Sequence, residues 1–124
     1  MLTGIDTSFF YALAAGNPAA VEAWENRELL TSSLCFFELK TKLLNGDLKA
    51  WPTVLEDIAK AVEVVPVTVA AALKAGQLVC ETGMPAFDAM IVSSFAEAGC
   101  GEVLTLDPHF KLLAKKGLEI VLLS

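Results

Sequence analysis

Short apolar segments alternate with longer helical segments along the chain, and this alternation limits the fold more than any other feature. Five of the short segments are predicted as strands: Leu2–Ile5, Leu29–Leu34, Glu63–Val67, Val103–Leu106 and Leu118–Leu122. Several are apolar at nearly every position, which is typical of strands covered on both faces in a parallel sheet. The pattern therefore predicts an α/β fold, a three-layer α/β/α sandwich with a central parallel sheet of about five strands.

Glycine and proline mark the boundaries of the helical segments. The predicted helices are Phe9–Ala15, Pro18–Arg27, Phe36–Leu44, Trp51–Ala61, Val69–Glu81, Pro85–Ala98 and Phe110–Lys116. No repeat, low-complexity segment or Gly/Ser linker divides the chain. We therefore expect one domain over residues 1–124.

The distribution of apolar residues and cysteines indicates where such a protein would reside. Although 55% of the residues are apolar, no run reaches the roughly 18 uninterrupted residues of a membrane helix. The first residues lack a basic segment followed by an apolar one, so no signal peptide is expected. The three cysteines form no CxxC pair, which argues against a disulfide framework. We therefore expect a cytoplasmic protein that does not associate with a membrane.

Charge and histidine content exclude several classes of function. A net charge of −6 excludes nucleic-acid binding driven by bulk positive charge. His109 is the one imidazole in the chain, which makes most serine- and cysteine-nucleophile mechanisms poor. The lack of a histidine or cysteine cluster argues against zinc.

Four acidic residues occupy unusual positions: Asp6, Glu38, Asp88 and Asp107. Asp6 and Asp107 each end an apolar strand, and the ligand crevice of open α/β sheets lies at the carboxyl ends of strands. Asp88 lies on the apolar stripe of its helix, where a carboxylate must be hydrogen-bonded, protonated or bound to a cation. Glu38 lies in the first turns of the helix that follows the second strand. All four acids thus map to the same end of the sheet.

Each acid also has an ordinary structural interpretation. Asp6 and Asp107 are suitable helix N-caps, and the helix dipole favours an acid such as Asp88 in a first turn. Glu38 is placed to pair with Lys42 at i+4. These interpretations are independent of one another, whereas a single shared site explains all four positions.

Short motifs carry the four acids in a distinctive order. They are Ile5-Asp6-Thr7-Ser8-Phe9, Cys35-Phe36-Phe37-Glu38-Leu39, Phe87-Asp88-Ala89-Met90-Ile91-Val92 and Leu104-Thr105-Leu106-Asp107-Pro108-His109-Phe110. In order, spacing and position on the predicted elements, these motifs resemble those of the PIN domain family, and within it the small VapC-type toxins of toxin–antitoxin pairs. The resemblance runs the whole length of the chain.

The resemblance implies a Mg²⁺- or Mn²⁺-dependent endoribonuclease that hydrolyses an RNA phosphodiester and leaves a 3′-hydroxyl and a 5′-phosphate. Asp6, Asp88 and Glu38 would bind the metal, directly or through water, and Asp107 would complete the site or orient the attacking water. Carboxylate oxygens suit such a hard cation, which activates a bound water. The family also implies two protein partners, a cognate antitoxin and a second copy in a homodimer.

Polar and basic residues around the acids are further candidates. Thr7, Ser8 and Thr105 are placed to hydrogen-bond the carboxylates. Lys40 and Lys42 lie near Glu38 and are candidates for contact with the RNA, although a solvated helix face is the more ordinary interpretation. The same two interpretations apply to the lysines beyond Asp107, which are Lys111, Lys115 and Lys116.

Large aromatic side chains are concentrated in the first third of the chain: Phe9, Phe10, Tyr11, Trp24, Phe36 and Phe37. We expect most of them in the core. An exposed remainder would mark a protein-binding groove or a dimer face.

Three alternative classes share part of this pattern. A phospho-receiver domain would place an aspartate after its middle strand and a lysine after its last functional strand, and this chain has neither. A nucleotide-binding fold would carry a glycine-rich phosphate loop, which is also lacking. A catalytically silent PIN-like module that binds RNA or protein is the strongest alternative, although all four acid positions are filled.

Overall fold

A computed structural model of the protein describes residues 1–113 and 117–124 and contains one sheet of five strands. The strands are β1 (Leu2–Ile5), β2 (Glu28–Ser32), β3 (Glu63–Val65), β4 (Glu102–Thr105) and β5 (Glu119–Leu122). They run parallel in the order β3-β2-β1-β4-β5, with β1 at the centre. This topology confirms the predicted five-stranded parallel sheet.

Six α-helices and one 3-10 helix cover the sheet. They are α1 (Thr7–Ala14), α2 (Pro18–Asn26), α3 (Ser33–Leu44), α4 (Val54–Ala61), α5 (Val69–Thr82), α6 (Ala86–Glu97) and the 3-10 helix Pro108–Leu113. None of the helices in the described ranges is long and apolar enough to cross a membrane.

Two hydrophobic clusters lie on opposite faces of the sheet and confirm the three-layer α/β/α architecture. One cluster contains residues of α5, α6 and the 3-10 helix, and the other contains residues of α1, α2 and α4. Neighbouring residues of one strand belong to different clusters: Leu29 and Leu30 in β2, and Val103 and Leu104 in β4. Because side chains alternate along a strand, this arrangement explains why the strands are apolar at consecutive positions.

A close contact at the centre of the sheet positions the helix that carries Asp88. A Cβ atom at Gly4 would lie 2.6 Å from Cδ2 of Phe95, which is fully buried. Glycine in β1 therefore allows α6 to lie directly against the central strand. Larger residues at position 4 would push α6, and with it Asp88, away from the end of β1.

Most predicted boundaries differ from the structure by one to three residues, and two of the differences have clear local reasons. The predicted strand Leu29–Leu34 ends at Ser32, because the Ser32 hydroxyl accepts a hydrogen bond from the Leu34 amide (3.1 Å) and caps α3. The predicted helix Phe110–Lys116 is instead a 3-10 helix that begins at Pro108 and is described as far as Leu113. Residues 114–116 lie outside the described ranges.

Most of the early aromatic residues are in the core, as expected. Phe9 and Phe10 are fully buried, and Trp24 and Trp51 pack edge to face beside Phe10 with 5.9 Å between their ring centroids. Phe37 is the exception, with 60% of its surface exposed.

Candidate metal centre

One cavity of about 220 Å³ brings the four predicted acids together. It is lined by Asp6, Thr7, Ser8, Tyr11, Glu38, Lys42, Asp88, Ile91 and Asp107. Asp6 directly follows β1 and Asp107 follows β4 by two residues, so both lie where the carboxyl ends of neighbouring strands meet. Glu38 and Asp88 enter from α3 and α6. Four acids that are 32, 50 and 19 residues apart in the sequence therefore share one site.

Asp6 is the most rigidly held of the four. It is 4% exposed, and its Oδ1 accepts hydrogen bonds from the Ser8 hydroxyl (2.8 Å) and the Phe9 amide (3.1 Å). Its Oδ2 accepts from the Thr105 hydroxyl (2.7 Å). Burial raises the pKa of Asp6, and these three hydrogen bonds act in the opposite direction. Asp6 is thus the N-cap of α1 and a wall of the acid cavity at once.

Hydroxyl groups join the ends of the two central strands. The Thr105 hydroxyl, besides donating to Asp6, accepts a hydrogen bond from the Asp107 amide (3.0 Å). The Ser8 hydroxyl accepts from the Leu106 amide (2.8 Å) and lies 3.1 Å from the Thr105 hydroxyl. The position of Asp107 relative to Asp6 is therefore set by bonds that cross from β4 to the start of α1.

Glu38 is positioned by a neighbouring helix. Its Oε1 accepts a hydrogen bond from the Thr7 hydroxyl of α1 (2.5 Å). Within the described part of the chain it forms no ion pair with Lys42, the partner suggested by i+4 spacing.

The pKa of Asp88 reports the charge of the whole cavity. The pKa of Asp88 is raised from 3.8 to about 6, mainly by burial and in addition by the negative charges of Asp107, Glu38 and Asp6. Across residues 1–113 and 117–124, none of the four acids is paired with a lysine or arginine. The cavity therefore concentrates four carboxylates that form no ion pair with a lysine or arginine among the described residues, although Lys42 lies in the cavity wall.

Asp107 and His109 form a local pair at the edge of the cavity. Asp107 Oδ1 accepts a hydrogen bond from the His109 amide (2.9 Å) and lies 2.9 Å from Nδ1 of the same residue. This contact caps the 3-10 helix and holds the imidazole ring beside the carboxylate.

The donor set fits a hydrated divalent cation better than a dehydrated one. Among the described residues, no three His, Cys, Asp or Glu side chains form a ready-made metal-binding cluster. Mg²⁺ keeps several of its waters and is usually bound through one or two carboxylates, so it does not require such a cluster. Oxygen donors, concentrated negative charge and space for water all suit a hydrated Mg²⁺ or Mn²⁺ ion.

Tyr11 is a cavity residue that the sequence analysis missed. Its hydroxyl is buried and has no hydrogen-bond partner among the described residues. Burial raises the pKa of Tyr11, as do the charges of Asp47 and Glu38. The available signal was its i+4 spacing from Thr7, which places both residues on one face of α1.

The predicted lysines occupy different positions. Lys42 lines the acid cavity, whereas Lys40 is exposed outside it. Lys111 donates a hydrogen bond from Nζ to the Ile120 carbonyl (3.0 Å) and so ties the 3-10 helix to β5. Lys115 and Lys116 lie outside the described residues.

The fold and the cavity together define an α/β/α protein with an acidic site at the carboxyl end of a parallel sheet. The family model of the PIN domain matches residues 5–116, and the chain therefore belongs to the PIN domain family. The sequence resemblance to this family is confirmed.

Solved structures with similar folds include several VapC-containing proteins. VapBC2 from Rickettsia felis, bound to a DNA fragment from its promoter, has a TM-score of 0.76 and 16% identity, with 100% of both chains covered. VapBC-5 from Mycobacterium tuberculosis has a TM-score of 0.71 and 23% identity, with 98% of both chains covered. VapC20 from Mycobacterium tuberculosis, a sarcin-ricin loop cleaving toxin, has a TM-score of 0.70 and 21% identity, with 90% of this chain and 95% of that chain covered. No curated protein sequence matched the chain.

Proposed function

We propose that this protein is a Mg²⁺- or Mn²⁺-dependent endoribonuclease and the toxin of a type II toxin–antitoxin pair. The observation that carries the proposal is the cavity in which a PIN-family chain gathers Asp6, Glu38, Asp88 and Asp107, none of which is ion-paired with a lysine or arginine within the described residues. A site of this composition has oxygen ligands for a divalent cation and little else with which to activate water.

Each acid has a role that follows from its position. Asp6 would be the primary ligand, because three hydrogen bonds fix both of its oxygens before any ligand arrives. Asp88 and Glu38 would hold the cation with it, directly or through water. Asp107 would complete the site or orient the attacking water. The bound cation would lower the pKa of that water and offset charge that develops on the phosphate.

Lys42 and Tyr11 provide donors for the RNA backbone on the α1–α3 side. Lys42 carries the positive charge nearest to the acids among the lining residues, and the Tyr11 hydroxyl has no partner within the described chain. Few basic residues take part, so affinity for free RNA should be modest and should fall with salt.

The similar structures support the choice of substrate and partner. VapC20 is a sarcin-ricin loop cleaving toxin, which supports RNA as the substrate class. VapBC-5 is a member of a family of toxin–antitoxin systems, which supports a cognate antitoxin.

We further propose a homodimer, for which the exposed Phe37, packed against Phe87 with 5.4 Å between ring centroids, is a candidate contact. The three free cysteines suit a reducing cytoplasm.

Cleavage of a panel of fluorescent RNAs tests the proposed activity. Wild-type protein with Mn²⁺ should cleave at least one RNA and leave a 5′-phosphate, and EDTA should abolish cleavage. Asp6→Asn should lower the rate on the order of 10²–10³-fold, because it removes charge from the best-held ligand. Glu25→Gln removes one exposed carboxylate of α2 that does not line the cavity and is the matched control, with an unchanged rate.

The outcomes separate the proposed enzyme from a silent binding module. Cleavage that persists in EDTA, or in Asp6→Asn, would contradict the metal mechanism. A folded wild-type protein that binds RNA but cleaves no member of the panel would favour the silent module.

A further inference from the structure

A second cavity, of about 270 Å³, adjoins the acid cavity. It is lined by Thr82, Gly83, Met84, Pro85, Asp88, Asp107, His109, Leu112 and Leu113. Asp88 and Asp107 line both cavities, so the two compartments meet at these carboxylates. We call the second compartment the side pocket.

The side pocket and the acid cavity differ in the residue types that line them. Met84, Pro85, Leu112 and Leu113 provide apolar side chains to the side pocket, whereas Ile91 is the one aliphatic residue among the described residues that line the acid cavity. Leu112 is 71% exposed and provides apolar surface that nothing in the described chain covers. A concave apolar pocket with a few polar groups at one side is the usual form of a small-ligand site.

The wall between α5 and α6 is built from residues with restricted backbones. Gly83 ends α5 in the left-handed conformation, with φ of 72°, and Pro85 directly precedes α6 with φ of −58°. The Thr82 hydroxyl donates to the Leu78 carbonyl (2.7 Å) and accepts from the Met84 amide (3.3 Å). The wall is therefore formed before any ligand binds.

His109 provides an aromatic face at the mouth of the side pocket. Its side chain is 78% exposed, and the contact of Nδ1 with Asp107 holds the ring in place, while Nε2 forms no hydrogen bond within the described residues. An exposed imidazole that is oriented by a site carboxylate is suited to stack on a planar ligand and to hydrogen-bond its edge. The metal mechanism does not use this ring.

We propose that the side pocket receives one nucleobase of the RNA strand, from the nucleotide next to the cleaved phosphodiester, and that His109 and Leu112 are specificity-determining residues. The inference rests on the proposed function. A nucleotide carries its base and its phosphate on one ribose, so a strand whose phosphate lies at Asp88 and Asp107 brings a flanking base to the adjoining pocket. A neutral, planar base suits apolar walls beside two carboxylates, where a second phosphate would be repelled.

Base dependence of cleavage tests the proposal directly. The substrates are a short single-stranded RNA with one cleavage site and two versions that carry an abasic nucleotide on either side of it. For wild-type protein, removal of the base on one side should lower kcat/KM about tenfold, and removal on the other side should have a much smaller effect. His109→Ala and Leu112→Ala should lower kcat/KM several-fold for the intact RNA and leave the rate on the sensitive abasic RNA unchanged.

Leu73→Ala is the matched control, because Leu73 is as exposed as Leu112 (72%) but lies on α5 outside the pocket lining. It should behave as wild type on all three RNAs. The proposal would be overturned if wild type and both pocket variants were equally sensitive to the abasic substitutions, or if wild type were insensitive to both of them.

Binding distinguishes failure of this inference from failure of the proposed function. Fluorescence anisotropy on the Asp6→Asn protein measures affinity for the same RNAs without cleavage, and His109→Ala in that background should weaken binding of the intact RNA alone. If binding depended on the base but wild type cleaved no RNA, the proposed base pocket would stand and the proposed nuclease activity would be rejected. Cleavage without base dependence would reject the pocket alone. If an apolar peptide displaced the intact RNA from the protein and the two abasic RNAs did not, the pocket would be assigned to a protein segment and the proposal overturned.

Discussion

The two ends of the central sheet each contain buried carboxylates, but they balance the charge differently. At the amino end, Glu102 begins β4, is 8% exposed, and accepts hydrogen bonds from Arg27 and from the Thr3 hydroxyl (2.9 Å). At the carboxyl end, Asp6 and its three acidic neighbours have no lysine or arginine partner in the described residues. Only two residues of β1, Gly4 and Ile5, separate Thr3 from Asp6.

This difference shows where the protein provides its own countercharge and where it does not. Burial of a carboxylate is costly, and the cost is offset by hydrogen bonds, by pairing with a cationic side chain, by protonation or by a bound cation. The amino end uses Arg27, which is the one arginine in the chain. At the carboxyl end hydrogen bonds hold Asp6, but the four acids form no ion pair with a lysine or arginine among the described residues, so their combined charge favours protonation or an external cation. For this reason we interpret the carboxyl end as the functional end.

Removal of Arg27 should have the largest effect on stability. Arg27→Met leaves Glu102 buried without its cation, and we expect a loss of about 2 kcal/mol in the free energy of unfolding. This is below the roughly 3–5 kcal/mol of a fully buried pair, because Arg27 is itself partly exposed. Urea unfolding at neutral pH measures the change.

Glu22→Gln is the control for this variant, since Glu22 is the exposed partner of Arg27 at 3.6 Å and should contribute less than about 0.5 kcal/mol. Adding Glu102→Gln to Arg27→Met should recover part of the loss. A double variant as unstable as the sum of the single variants would show that Arg27 acts by packing rather than by charge.

A divalent cation should stabilise the carboxyl end by a smaller amount. At ten times its dissociation constant, Mn²⁺ should add about 1.4 kcal/mol at neutral pH by binding only the folded state, which raises Tm by a few degrees. Asp6→Asn should raise Tm without metal, because it relieves repulsion among the acids, and should lose most of the response to Mn²⁺.

Glu25→Gln should retain the full Mn²⁺ response, which excludes binding of the ion to exposed carboxylates. If millimolar Mg²⁺ and Mn²⁺ left the wild-type Tm unchanged, the carboxyl end would not bind an external cation, and the proposed difference between the two ends of the sheet would be wrong.

The pH dependence in EDTA should show the smallest of the three effects. The folded protein has the higher pKa at Asp88, about 6 against 3.8, so it holds more protons than the unfolded chain between these values. The free energy of unfolding should therefore fall as pH rises from about 4 to about 6, and the raised pKa of Asp6 acts in the same direction.

For Asp88, which is half-buried, we expect a contribution of about 1 kcal/mol after solvent screening. The measured quantity is the difference between wild type and Asp88→Asn, because carboxylates elsewhere, such as Asp57 with its lowered pKa, change stability in the opposite sense. A difference that is flat, or that increases with pH, would contradict the assigned electrostatics.

Local sequence pattern was sufficient to locate the four acids and the parallel sheet. Asp6 and Asp107 follow short apolar strands, and the alternation of strands with helices predicts that such strands run parallel. Side-chain periodicity and short apolar runs predict the boundaries of helices and strands to within a few residues, because both patterns are local features of the sequence. The error at Ser32 arose because one serine is equally suited to end a strand and to cap a helix.

The sequence by itself therefore determined the fold class and the residues that meet at the carboxyl end. Tertiary structure alone decided which lysine faces the acids, that Tyr11 lines their cavity, and that a side pocket adjoins it. It also decided the pairing of Arg27 with Glu102, which lie 75 residues apart. These contacts depend on how α3, α6 and the 3-10 helix pack on the sheet, and packing is set by side-chain volume across distant segments, as Gly4 against Phe95 illustrates.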